Sequence, residues 1–162
     1  MKKKIIAVLV LALLVSTVSV FALGIGVQGG GVYTLDTKGF NVNGNLALTF
    51  KVDQSPLVFA ADFYLNKDLI VGLTGDYWLV NSYLAGPFNY FMGLGFGATV
   101  GIGDPLILAG SVRAPIGINA FFADGLIEPY LQIVPQFQLA ILPTVSSNGI
   151  VCGANAGIRF WF

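Results

Sequence analysis

The sequence predicts an all-β protein, an eight-stranded antiparallel up-and-down barrel that crosses a membrane after removal of a signal peptide. The chain of 162 residues is 56% hydrophobic and only 10% charged, whereas about 25% of the residues in an average soluble domain are charged. Apolar residues alternate with small or polar ones along most of the chain. After Ala22, no apolar run reaches the length of about 18 residues that a transmembrane helix needs. A closed barrel, whose backbone groups are all paired, is the other structure that can span a bilayer.

Residues 1–22 are predicted to be a signal peptide that directs export through the Sec pathway. Lys2, Lys3 and Lys4 form a basic start, an apolar segment follows at 5–15, and Ala22 supplies the small residue before the cleavage point. The apolar segment is shorter than the about 20 residues of a membrane anchor. The mature chain is then a single barrel domain, residues 23–162.

The composition of residues 23–162 argues against several classes of partner and chemistry. Five Lys/Arg and eight Asp/Glu give a net charge of 5 − 8 = −3, so no basic stripe for nucleic acid is expected. The chain has no histidine, which removes Ser-His-Asp triads, imidazole metal sites and the commonest general base. Its glycine-rich segments lack the Lys-Ser/Thr of a phosphate loop. The sequence therefore predicts a protein that is not an enzyme and has no cofactor or metal.

Period-two alternation defines the eight predicted strands. One face of each carries larger apolar residues and the other carries glycine, threonine, asparagine or charged residues. The larger apolar face is assigned to the lipid, because a glycine-lined interior could not hold a large apolar core. Eight strands place both chain ends on one side of the membrane, and eight is the smallest usual bacterial outer-membrane barrel. The predicted strands are 23–35, 45–52, 56–65, 69–79, 90–100, 106–119, 127–136 and 152–162.

Three prolines interrupt this pattern. Pro115 lies inside the predicted sixth strand, and Pro129 and Pro135 lie inside the seventh. Because proline cannot donate a hydrogen bond to the sheet, a bulge or strand end is expected at each position. The turns near 80–88 and 120–126 are not expected to be minimal. Among the loops at the opposite end, 65–68 and 101–105 are short, while 36–43 and 137–149 are longer.

Inward-facing polar residues are predicted to form a structural network in the lumen. An unpaired buried charge is costly, so the carboxylates are expected to pair with lysine or arginine rather than form a catalytic dyad. A hairpin centred near residue 143 sets Glu128 opposite Arg159, which predicts a charge-assisted contact. The predicted network comprises Lys51, Asp62, Asp76, Arg113, Glu128, Gln132 and Arg159.

The chain resembles the small outer-membrane β-barrel proteins of the OmpA/OmpX-like class, and in particular the short uncharacterised barrels of spirochaetes. The resemblance rests on "LGIGVQGGGVYT" after the signal, "VRAPIGINAFF" (112–122), "IEPYLQIVP" (127–135) and the terminal "GIRFWF". It implies a barrel surrounded by outer-membrane lipid and inserted by the barrel assembly machinery. It also implies that Ile158, Phe160 and Phe162 form the signal read during insertion.

Several functions remain open at this point. The leading prediction is a structural protein of the outer membrane with a filled or narrow lumen. Because glycines remove side-chain volume, a narrow porin-like pore or small-ligand conduit is the alternative. A surface adhesin would bind host ligands through loops 36–43 and 137–149, but no motif supports this. A secreted soluble barrel is a further alternative. An interfacial aromatic girdle is predicted at one barrel end, formed by Tyr77, Tyr90, Phe121, Phe122, Phe160 and Phe162.

Overall fold

The computed structural model describes residues 22–36, 39–65 and 69–162, nearly all of which belong to one antiparallel sheet. The predicted signal peptide, except for Ala22, lies outside these residues. No helix in the described part of the chain is long and apolar enough to cross a membrane. The strands are β1 (Leu23–Asp36), β2 (Gly39–Val52), β3 (Leu57–Tyr64), β4 (Leu69–Ala85), β5 (Phe88–Ile102), β6 (Ile107–Arg113), β7 (Ile116–Ala120), β8 (Ile127–Leu142) and β9 (Ser146–Trp161).

The sheet closes into a barrel. Consecutive strands pair from β1 to β5, β8 pairs with β9, and β9 pairs with β1 from Gly24↔Trp161 to Tyr33↔Cys152. Both β6 and β7 lie between β5 and β8, one after the other. They occupy a single position in the ring, so the nine strands form a ring of eight. The predicted eight-stranded antiparallel barrel is confirmed.

The break between β6 and β7 lies at Ala114 and Pro115. The Ala114 N–H donates to the Pro135 carbonyl at 2.9 Å, and the Gly93 N–H donates to the Pro115 carbonyl at 2.9 Å. Neither proline can return a hydrogen bond because its nitrogen carries no hydrogen. The ladder therefore loses bonds on both sides of this point, and the predicted interruption at Pro115 is confirmed.

The bulges or ends expected at Pro129 and Pro135 are wrong for β8 itself, although its pairing with β7 and β6 is interrupted at Val134 and Pro135. Strand β8 passes through both prolines in continuous register with β9, and its irregularity lies between Gln138 and Leu139. The Pro135 carbonyl faces Ala114, on the side away from β9. Alternate residues of a strand bond to the same neighbour, so Pro129 also directs its missing donor away from β9. Neither proline therefore removes a hydrogen bond between β8 and β9.

Three connections are shorter than the sequence predicts, whereas the turn at 121–126 is non-minimal as expected. Strand β4 continues to Ala85 and β5 begins at Phe88, so the turn expected over 80–88 consists of Gly86 and Pro87. Gly86 has a φ of 56°, which glycine adopts without steric cost. At the other end, β1 and β2 leave only 37–38 between them, and β8 and β9 leave 143–145. The longer loops predicted at 36–43 and 137–149 are therefore wrong, because the strands extend into them.

The two faces of the barrel differ in polarity as predicted. Large apolar side chains are exposed around the outside in every strand, and Leu94 and Leu131 near the strand centres are typical. The inside holds the buried polar residues together with a small aromatic cluster of Trp78, Phe91 and Tyr130. A barrel with this polarity has its largest apolar surface on the outside.

Candidate functional site

The lumen is the part of the described chain where polar side chains converge. All seven side chains predicted for the lumen network are buried, and the most exposed of them, Gln132, is 8% exposed. Six further buried polar residues lie on strand faces that the alternation already assigns to the lumen, but they were not included in the predicted network. They share strand and parity with residues of that network, which is the signal that could have added them. These six are Gln28, Asn45, Thr49, Asn119, Gln136 and Asn155.

Glu128 is the centre of one cluster, near the barrel end at which Leu23 and Phe162 lie (the terminus end). It lies opposite Arg159 in the β8–β9 register, with Arg159 Nη1 2.8 Å from Glu128 Oε2. This is the contact that the hairpin register predicts. Trp161 Nε1 donates to the same oxygen at 3.0 Å, and Asn119 Nδ2 donates to Oε1 at 2.7 Å. Both carboxylate oxygens are therefore occupied by donors.

Aromatic rings fill the space beside this cluster. The Arg159 guanidinium carbon lies 4.1 Å from the centroid of the Tyr130 ring and 5.3 Å from that of Trp78. The Tyr130 hydroxyl donates to Gln28 Oε1 at 2.9 Å. Trp78 stacks on Phe91 with their centroids 4.0 Å apart. Strands from opposite sides of the barrel thus meet through side chains in the middle of the lumen.

A second cluster contains Arg113, Asp76 and Asp62. Arg113 Nε lies 3.0 Å from Asp76 Oδ1, but neither atom has the alignment of a hydrogen bond, so this is an ion-pair contact. Asn45 Nδ2 donates to Asp62 Oδ1 at 2.8 Å, and Asp62 Oδ2 has no partner among the described residues. Each lumen carboxylate therefore faces a positive or amide donor.

Inward glycines provide space for large side chains on the neighbouring strand. A Cβ on Gly157 would lie 2.5 Å from the Tyr130 hydroxyl oxygen, and a Cβ on Gly117 would lie 2.5 Å from Phe91 Cζ. Gly157 is directly opposite Tyr130, and Gly117 is directly opposite Phe91. The expectation that glycines leave the lumen empty does not apply at these positions, because the partner ring fills the space.

Three of the cavities lined by described residues lie beside these groups. One of about 680 Å³ lies at the terminus end and is lined by Lys51, Trp78 and Trp161 among others. One of about 210 Å³ lies near the opposite end, beside Asn43 and Gln138. The third, about 20 Å³ beside Asp62 and Arg113, has room for a single water molecule. Within the described residues, no group of three or more metal-binding side chains is present.

The C-terminal residues lie at the terminus end of β9. Phe162 exchanges backbone hydrogen bonds with Leu23 at 3.1 and 3.2 Å, so the last residue is part of the sheet. Phe160 and Phe162 are exposed on the outer face and Ile158 is half-buried. Tyr77, Tyr90 and Phe122 are also exposed.

Phe121 differs from the other residues of the predicted girdle. Its ring lies 6.3 Å from that of Trp161, and it lines the large cavity. It therefore belongs to the barrel mouth rather than to the lipid-facing surface. The reason is local, because the residue lies between the end of β7 and the turn before β8 and does not follow the alternation of either strand.

Comparison with known proteins shows a shared fold without close sequence relatives. No protein-family model matches the chain, and no curated protein sequence matches it significantly. Among solved structures, the chain is similar to the crystal structure of Neisserial surface protein A (NspA), with a TM-score of 0.56 and 12% sequence identity. The similarity covers 87% of this chain and 99% of that protein. At this identity, the comparison supports the barrel fold.

Proposed function

We propose that this protein is an integral outer-membrane β-barrel with a structural role, a filled lumen and no enzymatic activity. The observation that carries the proposal is the combination of a closed ring, an apolar outer face and an interior occupied by paired charges and rings. A water-soluble barrel would require the opposite polarity. The fold shared with NspA, a protein named for its place at the cell surface, supports placement in an outer membrane.

The terminus end is assigned to the periplasm, as in outer-membrane barrels generally. Insertion by the barrel assembly machinery, with Ile158, Phe160 and Phe162 as the signal, belongs to the same proposal. So does the relationship to short spirochaete barrels, which rests on sequence resemblance alone. Host-ligand binding is not part of the proposal, because the described connections opposite the terminus end, 103–106 and 143–145, offer little surface.

Fractionation and electrophoresis test the membrane assignment. We expect the protein in the outer-membrane fraction. In electrophoresis, its band should migrate differently before and after boiling, because a folded barrel resists unfolding by the gel detergent until it is heated. Recovery in the soluble periplasmic or secreted fraction would contradict the proposal and favour the soluble barrel.

Planar-bilayer recording tests the filled lumen. We expect no regular single-channel steps from the purified protein, because Tyr130, Phe91 and the Glu128–Arg159 pair occupy the interior. The cavities at the two ends of the lumen are the observation that favours a narrow conduit instead. Reproducible conductance steps from folded protein would establish that second function.

A further inference from the structure

The cavity of about 680 Å³ at the terminus end is bounded by residues of two turns and by side chains of the barrel interior. Residues 53–56 and 124–126, from two turns, contribute to its rim. Lys51, Trp78 and Trp161 line it at the barrel interior, together with Phe121. The cavity is large enough for a small organic molecule, since ligand pockets commonly measure about 300–1,000 Å³.

Lys51 is a buried cation without a carboxylate partner. It is 7% exposed. Among the described residues, no carboxylate lies within the 4.0 Å of an ion pair with Lys51. Its Nζ lies 3.4 Å from the Ser55 carbonyl oxygen, a long contact for one of its three N–H donors. Its electrostatic partners are Glu128, whose two oxygens already accept from other residues, and Asp53, an exposed residue of the cavity rim.

The buried charges next to this cavity do not cancel. Lys51 and Arg159 contribute two positive charges and Glu128 contributes one negative charge, which gives 2 − 1 = +1. In the second cluster, Arg113 faces Asp62 and Asp76, which gives 1 − 2 = −1. The buried charges of the described lumen therefore sum to zero, with the excess positive charge beside the large cavity, whose exposed rim also carries Asp53 and Asp124. An uncompensated buried charge is costly, so an anion in the cavity would be favourable.

Aromatic rings flank the lysine. Nζ lies 5.3 Å from the centroid of the Trp78 ring and 5.3 Å from that of Trp161. Such contacts stabilise a cation but supply no counter-charge and no acceptor for its free N–H groups. The same rings, with Phe121, offer an apolar wall to a molecule that pairs with the ammonium group.

We propose that this cavity binds a small amphipathic organic anion, whose carboxylate or phosphate pairs with Lys51 while its apolar part packs on Trp161 and Phe121. This inference goes beyond the structural role proposed above and does not require a conducting lumen. Two sources share this chemistry, a soluble periplasmic acid and the headgroup of an anionic lipid at the barrel mouth.

Intrinsic tryptophan fluorescence tests the proposal directly. The chain contains two tryptophans, and both line the cavity. Folded protein in a non-ionic detergent is titrated with 4-phenylbutyrate and, as a matched neutral probe, with 4-phenylbutyramide. We expect saturable fluorescence changes with the carboxylate and affinity for the amide weaker by roughly tenfold or more, since a charge-assisted hydrogen bond is lost.

A lipid arm separates the two sources. The same fluorescence is recorded in phosphatidylcholine vesicles with and without phosphatidylglycerol. A response to 4-phenylbutyrate alone identifies a soluble acid, and a response to phosphatidylglycerol alone identifies a lipid headgroup. If neither anion changes the fluorescence, or if the carboxylate and the amide bind equally, the proposal is overturned.

Variants assign the binding to Lys51. Lys51→Met keeps much of the apolar stem and should weaken anion binding by roughly tenfold or more, whereas Lys51→Arg should retain it. Asp53→Asn, which removes a negative charge from the rim, should strengthen it. Heat-modifiable migration verifies that each variant is folded. Unchanged anion affinity in folded Lys51→Met would contradict the assignment, and the wild-type and Asp53→Asn measurements remain decisive if that variant does not fold.

Discussion

Glu128 and Arg159 face each other on β8 and β9, with Oε2 and Nη1 2.8 Å apart and side chains that are 0% and 1% exposed. Trp161 and Asn119 donate to the same carboxylate. The pair therefore joins the last two strands to β7 inside the lumen. Because neither charge can reach water, each depends on the other for compensation.

Substitution of one member of this pair should destabilise the barrel strongly. We expect Glu128→Gln to lower the free energy of unfolding by about 3–5 kcal/mol, because Arg159 is left as an uncompensated buried charge. The double variant Glu128→Gln/Arg159→Met should recover part of that loss. Urea unfolding of the protein in lipid vesicles measures both values. Asp104→Asn, at an exposed loop position, is the control and should stay within about 0.5 kcal/mol of wild type. Equal stability of the single and double variants would contradict this role of the pair.

The glycines of β9 provide a matched test of lumen packing. A Cβ on Gly157 would lie 2.5 Å from the Tyr130 hydroxyl, whereas the nearest atom to a Cβ on Gly153 is 3.6 Å away. We expect Gly157→Ala to cost about 1–3 kcal/mol through overpacking. Gly153→Ala should be neutral or stabilise by up to about 1 kcal/mol, because it reduces the entropy of the unfolded chain. Unfolding curves for the two variants decide the matter, and similar stabilities would mean that Tyr130 can move aside.

Alternation in the sequence was sufficient to predict the eight positions of the ring and the pairing of Glu128 with Arg159, whereas the break at Pro115 was predicted from the missing N–H of proline. The first two features depend on parity within a strand and on pairing between adjacent strands. The turn at Gly86 was missed because register shifts at Trp78/Val80 and Tyr83/Ala85 interrupt the alternation in β4. Parity cannot be followed through a bulge, since one strand contains an extra residue.

Contacts across the lumen could not be predicted from the sequence. Lys51 on β2 lies beside Trp78 on β4 and Trp161 on β9, and none of these strands is adjacent to another of the three. Their heights relative to one another depend on how the strands are staggered when the barrel closes. Period-two alternation gives the face of each residue but contains no information about that stagger.

Arginine substitutions on the outer face should depend on depth in the membrane. Leu94, near the middle of β5, is 55% exposed, and Leu84, beside the turn between β4 and β5, is 56% exposed. We expect Leu94→Arg to cost about 2–4 kcal/mol and Leu84→Arg about 0–1 kcal/mol, because a charge is most costly at the bilayer centre. Urea titration of refolded protein in vesicles measures the difference. Equal costs at the two positions would contradict a lipid-facing surface at Leu94.

The exposed end of β9 allows assembly to be separated from stability. Phe162 is 78% exposed at the terminus end, and Val145 is 75% exposed in the loop at the opposite end. An acidic residue near a membrane interface costs only about 0–1 kcal/mol, so Phe162→Asp should refold in detergent with nearly wild-type stability. If Phe162 is part of the insertion signal, the same variant should nevertheless accumulate in the outer membrane at a severalfold lower level, while Val145→Asp accumulates normally. Immunoblots of membrane fractions, compared with refolding yields in vitro, measure the two effects. Normal membrane levels of Phe162→Asp would contradict the signal, and a matching loss in refolding yield would attribute the defect to the folded barrel instead.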